Sequence, residues 1–203
     1  DVHLLFQQMS GLAPAIALKR LLQSPFTLHA GVIARIEREM VHAAAGRPAR
    51  IIAKMNALNE PQVMRTLYRA SQAGVEIDLI VRGACALRPG VPGVSENIRV
   101  RSIVGRFLEH HRVYWFGNDG APDLFCASAD WLERNLLRRV ETGFPILDPD
   151  LAQRVRIEAL DNYLADNVNA WELREDGTYV KLAPKGDEPP HSAQGWLLAH
   201  LCG

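Results

Sequence analysis

Apolar residues along this chain recur at two spacings, and the switches between them lay out a series of helices and strands. Val2, Leu5, Phe6 and Met9 fall at helical spacing and stop at Ser10-Gly11. A connecting segment through Leu21-Leu22 and Pro25 leads to Thr27, a candidate helix cap. Over 29–45, Val32, Ile33, Ile36, Met40 and Val41 mark one helical face, and Gly46-Arg47-Pro48 ends it. Arg50 to Met55 is a short apolar run between helical patterns, which predicts a buried parallel strand. Asn59-Glu60-Pro61 opens a second helix with Val63, Met64, Leu67 and Ala70 inward, closed by Gly74. Ile77 to Val81 is the next buried strand, ending at Arg82-Gly83. Strand, helix, strand implies a right-handed crossover and a parallel core.

Further along, Pro89, Gly90, Pro92 and Gly93 make Leu87 to Val94 a stiff loop. Val113 to Phe116 and Leu124 to Ala127 are strand-like, and Arg139 to Ile146 is a further strand containing Glu141. Asp148-Pro149-Asp150 caps an amphipathic helix carrying Val155, Ile157, Leu160 and Leu164. Ala170 to Arg174 and Thr178 to Lys181 flank Glu175-Asp176-Gly177, a hairpin signal. A polar, Pro-rich linker then leads to a short terminal helix through Trp196, Leu197, Leu198 and Leu201. No internal repeat is evident. The expected class is α/β, with a mixed, largely parallel sheet and helices on both faces.

Composition narrows the function. A chain of 203 residues with 48% hydrophobic residues holds one substantial domain, and a formal net charge of zero excludes non-specific nucleic-acid binding by the whole surface. Any anion site must therefore come from local clustering. Cys85, Cys126 and Cys202 are odd in number and widely spaced, which suggests neither a disulfide framework nor a zinc site, and fits a reducing cytoplasm. No run is long enough to be a transmembrane segment, and no signal peptide is seen. A start at Asp1 without Met is what a fragment would show.

The strongest local cluster is Ser95 to Arg112, with Arg99, Arg101, Arg106, Glu109, His110, His111 and Arg112 leading into Val113 to Phe116. Such a stretch is equally a solvated connection or an anion site. In open α/β sheets ligands gather beyond the carboxyl ends of strands, which places Lys54, Asn56 and Arg82 near a common edge. Arg82, between the apolar run Leu79-Ile80-Val81 and a glycine, sits where a phosphate could approach the backbone, and its planar fork suits phosphate oxygens. Lys54 and Asn56 are as readily polar strand ends. Arg139 and Arg112 are weaker candidates, since either could simply pair with Glu141 or Glu109. Histidine titrates near neutrality and can serve as nucleophile, acid/base or oxyanion partner.

The order His110-x-Arg112, strand, then Ser128, Asp130 resembles a half-site of the phospholipase D superfamily, with Arg for Lys and Asp for Asn. A closer resemblance spans nearly the whole chain. IIAKMNAL (Ile51 to Leu58), LYRASQAGVEIDLIVRG (Leu67 to Gly83), LRPGVPGVSENIRVRSIVGRFLEH (Leu87 to His110) and SADWLERNLLRRVE (Ser128 to Glu141) resemble the C-terminal region of the type 1 polyphosphate kinases. That family joins two phospholipase D-like halves into an ATP:polyphosphate phosphotransferase. The resemblance implies that 1–28 connects from a missing upstream half, 29–182 is a phospholipase D-like catalytic domain, and 183–203 is a linker and helix. It implies reversible transfer of the ATP γ-phosphate to polyphosphate through a phosphohistidine on the missing half, so the isolated chain would be inactive. His110 would face the transferred phosphate, while Arg82, His110 and, more weakly, Arg139, Lys54 and Asn56 would contact ATP or phosphate. Magnesium would be held mainly by the missing half, and no metal ligand is assigned here. ATP or ADP, polyphosphate, the upstream half and further copies of the full-length chain are the implied partners, with no nucleic acid. The implied place is the cytoplasm, with peripheral association at the inner membrane allowed. The competing readings are a dimeric phospholipase D-like phosphodiesterase or nuclease, and a non-catalytic polyphosphate-binding module.

Overall fold

The computed structural model describes residues 1–12 and 18–201, so Cys202 lies outside the described residues. Its elements, in order, are α1 (Val2–Met9), β1 (Leu22–Ser24), α2 (Leu28–Ala44), β2 (Arg50–Met55), α3 (Pro61–Gln72), β3 (Glu76–Val81), β4 (Ile98–Ile103), β5 (Arg112–Phe116), β6 (Asp123–Ala127), α4 (Glu133–Leu137), β7 (Glu141–Pro145), α5 (Pro149–Arg156), α6 (Asn162–Leu164), β8 (Ala170–Leu173), β9 (Tyr179–Lys181) and α7 (Ala193–Leu201). A π turn at Ile157–Asp161 joins α5 to α6 without a break. The strands form one nine-stranded sheet in the order β1-β7-β6-β5-β2-β3-β4-β8-β9.

The sheet is mixed as expected, but it is not largely parallel. Parallel pairing is confined to β2 with β3 and β3 with β4, while β5 joins β2 antiparallel, and β6, β7 and β1 follow antiparallel on that side as β8 and β9 do on the other. The cause is the connections. A parallel neighbour needs a crossover, which α3 and the segment 82–97 supply, whereas short turns deliver β6 and β9 as hairpin partners.

Alternation along each strand builds a core on either face of the sheet. Ile51, Ala53, Met55, Ile77, Leu79 and Val81 pack with Val32 and Ile36 of α2 and Val63, Leu67 and Ala70 of α3. Ile52, Ile80, Ile103, Val113 and Trp115 pack on the opposite face with Leu160, Tyr163 and Ala193. Each fully buried aliphatic side chain contributes about 1.5–3 kcal/mol, so a one-residue slip of β2 would expose one set to solvent.

The helix ends follow their sequence signals with one exception. Glu60 caps α3 by accepting from the Val63 amide at 2.6 Å, with Pro61 in the first turn, and Asp148 caps α5 by accepting from the Asp150 and Leu151 amides at 3.0 Å. Thr27 precedes α2 but makes no capping bond; its Oγ1 accepts from the Gln23 amide instead. Two strands lie where the sequence suggested connections. β1 falls within 1–28 and pairs with β7. β4 falls within the charged stretch: Ile98 and Val100 alternate inward, and Arg99 and Arg101 on the other face read as solvated loop until their partners are seen.

Candidate functional site

The carboxyl ends of β2 and β3 and the amino end of β5 meet on one edge of the sheet, where Lys54, Asn56 and Arg82 line a cleft with Glu109 and His111. Pairing across the strands is what gathers them. Lys54 lies opposite Ile80 in β3 and Val113 in β5, so all three face the Tyr163 side. Gly83 lets the turn after β3 come close, because a Cβ there would stand 3.0 Å from the Asn56 carbonyl oxygen, to which the Gly83 amide donates at 2.8 Å.

Lys54 is buried, its Nζ 2.6 Å from Glu109 Oε2 and 3.6 Å from the centre of the Tyr163 ring. Burial lowers the amine to about 8, against the upward pull of Glu109, and the nearby Arg82 charge lowers it further. Burial alone would raise the Glu109 carboxyl, but hydrogen bonds from Lys54, from Gln194 Nε2 at 2.6 Å and from Tyr163 Oη at 2.8 Å hold it below the usual carboxylate range. His111 packs edge-on against Tyr163 with ring centres 5.5 Å apart, and desolvation followed by the Lys54 charge takes it down to about 4. At neutral pH this ring is uncharged.

Two groups in the cleft have unused donors. The Asn56 amide nitrogen Nδ2 is buried without a hydrogen-bond partner, although the residue's backbone N–H donates to Asp130 at 2.7 Å. The Arg82 guanidinium makes no hydrogen bond or ion pair among the described residues, while its carbonyl accepts from Ser102 Oγ at 2.9 Å. A buried donor without an acceptor is costly in a finished fold, and a free guanidinium beside it is the complement of a phosphate.

Of the two adjacent histidines, it is His111 that lines the cleft. Alternation holds, but its phase puts His111 on the Lys54 side and His110 on the Arg112 side. His110 is exposed at the rim, with Nδ1 3.1 Å from Arg112 Nη1 and its carbonyl accepting from the same nitrogen at 2.8 Å. Arg112 pairs with Asp130 through both Nε and Nη2 at 3.1 Å, rather than with Glu109 or Glu141. Ser128 Oγ donates to Glu141, which also accepts from Asn135 Nδ2 at 2.6 Å. Arg139 is exposed beyond α4 and does not line the cleft.

The other arginines of the charged stretch are structural or peripheral. Arg99 Nε donates to Asp78 at 2.7 Å, Arg101 Nη1 donates to the Leu164 carbonyl at 2.5 Å, and Arg106 lies exposed over Phe107. Sequence reasoning missed Tyr163, Gln194 and the pairing of Glu109 with Lys54, because these partners lie far apart along the chain. The strict alternation Glu109, His110, His111, Arg112 was the one local signal for the cleft's third wall.

Among the described residues, no three of His, Cys, Asp and Glu come together to hold a metal ion. Glu109 and Asp130, the carboxylates nearest the cleft, are taken up by Lys54 and Arg112. No described helix is long and apolar enough to cross a membrane.

Comparison with known proteins bears on this geometry. The family described as "Polyphosphate kinase C-terminal domain 2" matches residues 21–194. Among curated proteins, the polyphosphate kinase of Xylella fastidiosa is 72% identical over 201 residues, covering 99% of this chain and 29% of the relative. That of Neisseria gonorrhoeae is 60% identical over 203 residues, covering 100% and 30%. This chain thus spans under a third of the length of these relatives. The crystal structure of polyphosphate kinase from Porphyromonas gingivalis superposes with a TM-score of 0.94 at 40% identity, covering 100% of this chain and 31% of that one. Nuc from Salmonella typhimurium, a phospholipase D family member, superposes with a TM-score of 0.54 at 14% identity, covering 76% and 97%, a likeness of fold alone.

Proposed function

This chain belongs to the polyphosphate kinase C-terminal domain 2 family, and from that premise we propose that it is the C-terminal catalytic half of a polyphosphate kinase. In this reading the full-length enzyme reversibly transfers the γ-phosphate of ATP to polyphosphate through a phosphohistidine on the upstream half. The observation that carries the reading is the pairing of unused donors in one cleft: the free Arg82 guanidinium and the orphaned Asn56 Nδ2, beside the Lys54 amine.

Phosphoryl transfer asks for cations and donors around the equatorial oxygens and for in-line placement of the reacting atoms, with little covalent work by the protein. Arg82 takes two phosphate oxygens, Asn56 Nδ2 donates to a third, and Lys54 adds charge from the side. Lys54 is held charged at neutral pH by Glu109 even though burial has brought it near 8. His110 lies at the rim with Arg112 Nη1 3.1 Å from its Nδ1 and 3.5 Å from its Nε2, and its ring serves the transferring group as donor or acid/base partner. Asp130 locks Arg112 and so fixes that ring. Arg139 has no part in this arrangement. When bound, magnesium would neutralise phosphate charge, and its ligands belong to the upstream half. The enzyme is placed in the cytoplasm and works as a homo-oligomer when full length.

The test is to mix the chain with the upstream half and measure ATP-dependent polyphosphate formation. Neither piece alone should form product, and the mixture should. Acid-labile label from γ-phosphate-labelled ATP should appear on the upstream piece. Stoichiometric labelling of His110 would overturn the roles, and phosphodiester hydrolysis by the chain alone would favour a phosphodiesterase.

A further inference from the structure

The terminal helix α7 follows the polar, Pro-rich linker, and its first turn reaches the wall of the cleft. Gln194 is buried, and its side chain is fully used. Nε2 donates to Glu109 Oε1 at 2.6 Å and to the Phe107 carbonyl at 2.9 Å, while Oε1 accepts from the Phe107 amide at 2.9 Å. One side chain thus reproduces a strand's pairing on Phe107 and holds the carboxylate that holds Lys54. Gly105 is shaped to this contact, because a Cβ there would overlap Gln194 Oε1 and Cδ.

The start of α7 is itself fixed. The Ala193 amide donates to Asp166 Oδ2 at 2.8 Å, its carbonyl accepts from Asn162 Nδ2 at 3.1 Å, and Asn169 Nδ2 donates to Ser192 Oγ at 2.8 Å. His191 Nε2 meets Asn162 Oδ1 at 2.8 Å. Gln194 therefore projects from an anchored turn. The segment it grips is held at its ends, by the Val104 amide on the Asn169 carbonyl and by Lys54 and Tyr163 on Glu109, while Val104, Phe107 and Leu108 are exposed, as is His110.

We propose that Gln194 is a positioning residue for phosphoryl transfer, clamping the segment 104–111 so that Glu109 and His110 are held in register with Lys54 and Arg82. The proposal rests on the polyphosphate kinase reading, and it acts through His110 and Glu109 rather than on the phosphate. A catalytic group displaced by about 1 Å loses on the order of a hundredfold in rate. Loosening this segment should therefore lower turnover more than it lowers ground-state affinity.

The experiment uses Gln194→Ala, Gly105→Ala and the double variant in two measurements. Backbone hydrogen exchange of the chain follows the Phe107 amide, which should exchange faster in both single variants, because one removes its acceptor and the other expels it. The double variant should match Gln194→Ala alone, since the added Cβ then has room. In the enzyme reconstituted with the upstream half, each single variant should lower kcat on the order of tenfold to a hundredfold with KM for ATP changed by less than about threefold. Unchanged Phe107 exchange in Gln194→Ala, or faster exchange with unchanged kcat, would overturn the clamp. A general loss of protection across the sheet with a matching fall in melting temperature would make Gln194 a packing residue only. If the wild-type mixture makes no polyphosphate, the function fails, and the exchange data still decide whether Gln194 holds the segment.

Discussion

Lys54→Met, alone and combined with Glu109→Gln, separates what the buried ion pair does for the fold from what the amine does for a phosphate. The two side chains are 4% and 8% exposed and 2.6 Å apart. The fall of the amine from 10.5 to about 8, caused first by burial, corresponds to about 3 kcal/mol of net penalty on its charged form. Removing the amine leaves the Glu109 carboxylate buried with only the Tyr163 and Gln194 donors, and breaking such a pair from one side costs about 3–5 kcal/mol. Two donors remain, so we expect the lower end, about 3 kcal/mol. In the double variant both charges are gone, and the side-chain carbonyl introduced by Glu109→Gln still accepts from Tyr163 and Gln194, so stability should return to within about 1–2 kcal/mol of wild type.

Urea unfolding of wild type, Lys54→Met, Glu109→Gln and the double variant gives the coupling directly. Turnover of the reconstituted enzyme should stay down on the order of tenfold or more in the double variant, because the cation facing the phosphate is absent. The pH dependence provides a second check. Folded Lys54 sits below its unfolded value, so between about pH 8 and 10.5 the unfolded chain binds the extra proton and the Lys54 contribution to stability rises with pH. That slope should vanish in Lys54→Met. Additive losses in the double variant would refute the coupled pair, and wild-type turnover there would reduce Lys54 to a structural role.

Other expectations bear on the cleft and its rim. Arg82→Ala should weaken nucleotide or polyphosphate binding and turnover together by about 1.5–3 kcal/mol, and His110→Gln should cost roughly a hundredfold to ten-thousandfold in turnover with little change in affinity. Wild-type melting and turnover in both would move the site elsewhere. The His111 ring is 37% exposed and held down to about 4, so stability should fall as pH drops from about 6.5 towards 4, where the unfolded chain takes the proton first. Solvent screening limits the size, but His111→Asn should flatten that limb of a urea-midpoint profile, leaving the loss near pH 4 that comes from Glu109; an unchanged limb would contradict it. Asp130→Asn strips the two-point acceptor from Arg112 and should cost about 3 kcal/mol of stability, with turnover falling further than Arg112→Lys achieves; a change of under about 0.5 kcal/mol would show that Arg112 is held otherwise.

The sequence by itself determined the helices, the buried central strands and the polar residues that end them. Apolar periodicity and capping residues act locally, so Glu60-Pro61, Asp148-Pro149 and the Glu175-Asp176-Gly177 turn could be read before any contact was known. It also placed Lys54, Asn56 and Arg82 at one edge, because adjacent parallel strands end together. Tertiary structure decided the rest. Whether an arginine is free or tied depends on partners distant in the chain: Asp78 claims Arg99, Asp130 claims Arg112, and Arg82 is left open. The hand of the histidine pair was set by the register of β5 against β2, which a single-residue shift would reverse. Gln194, 85 residues from Glu109, carries no local signal at all. Its position comes from the docking of α7 against α6 and the start of β8, where buried polar groups find their partners only once the whole sheet is assembled.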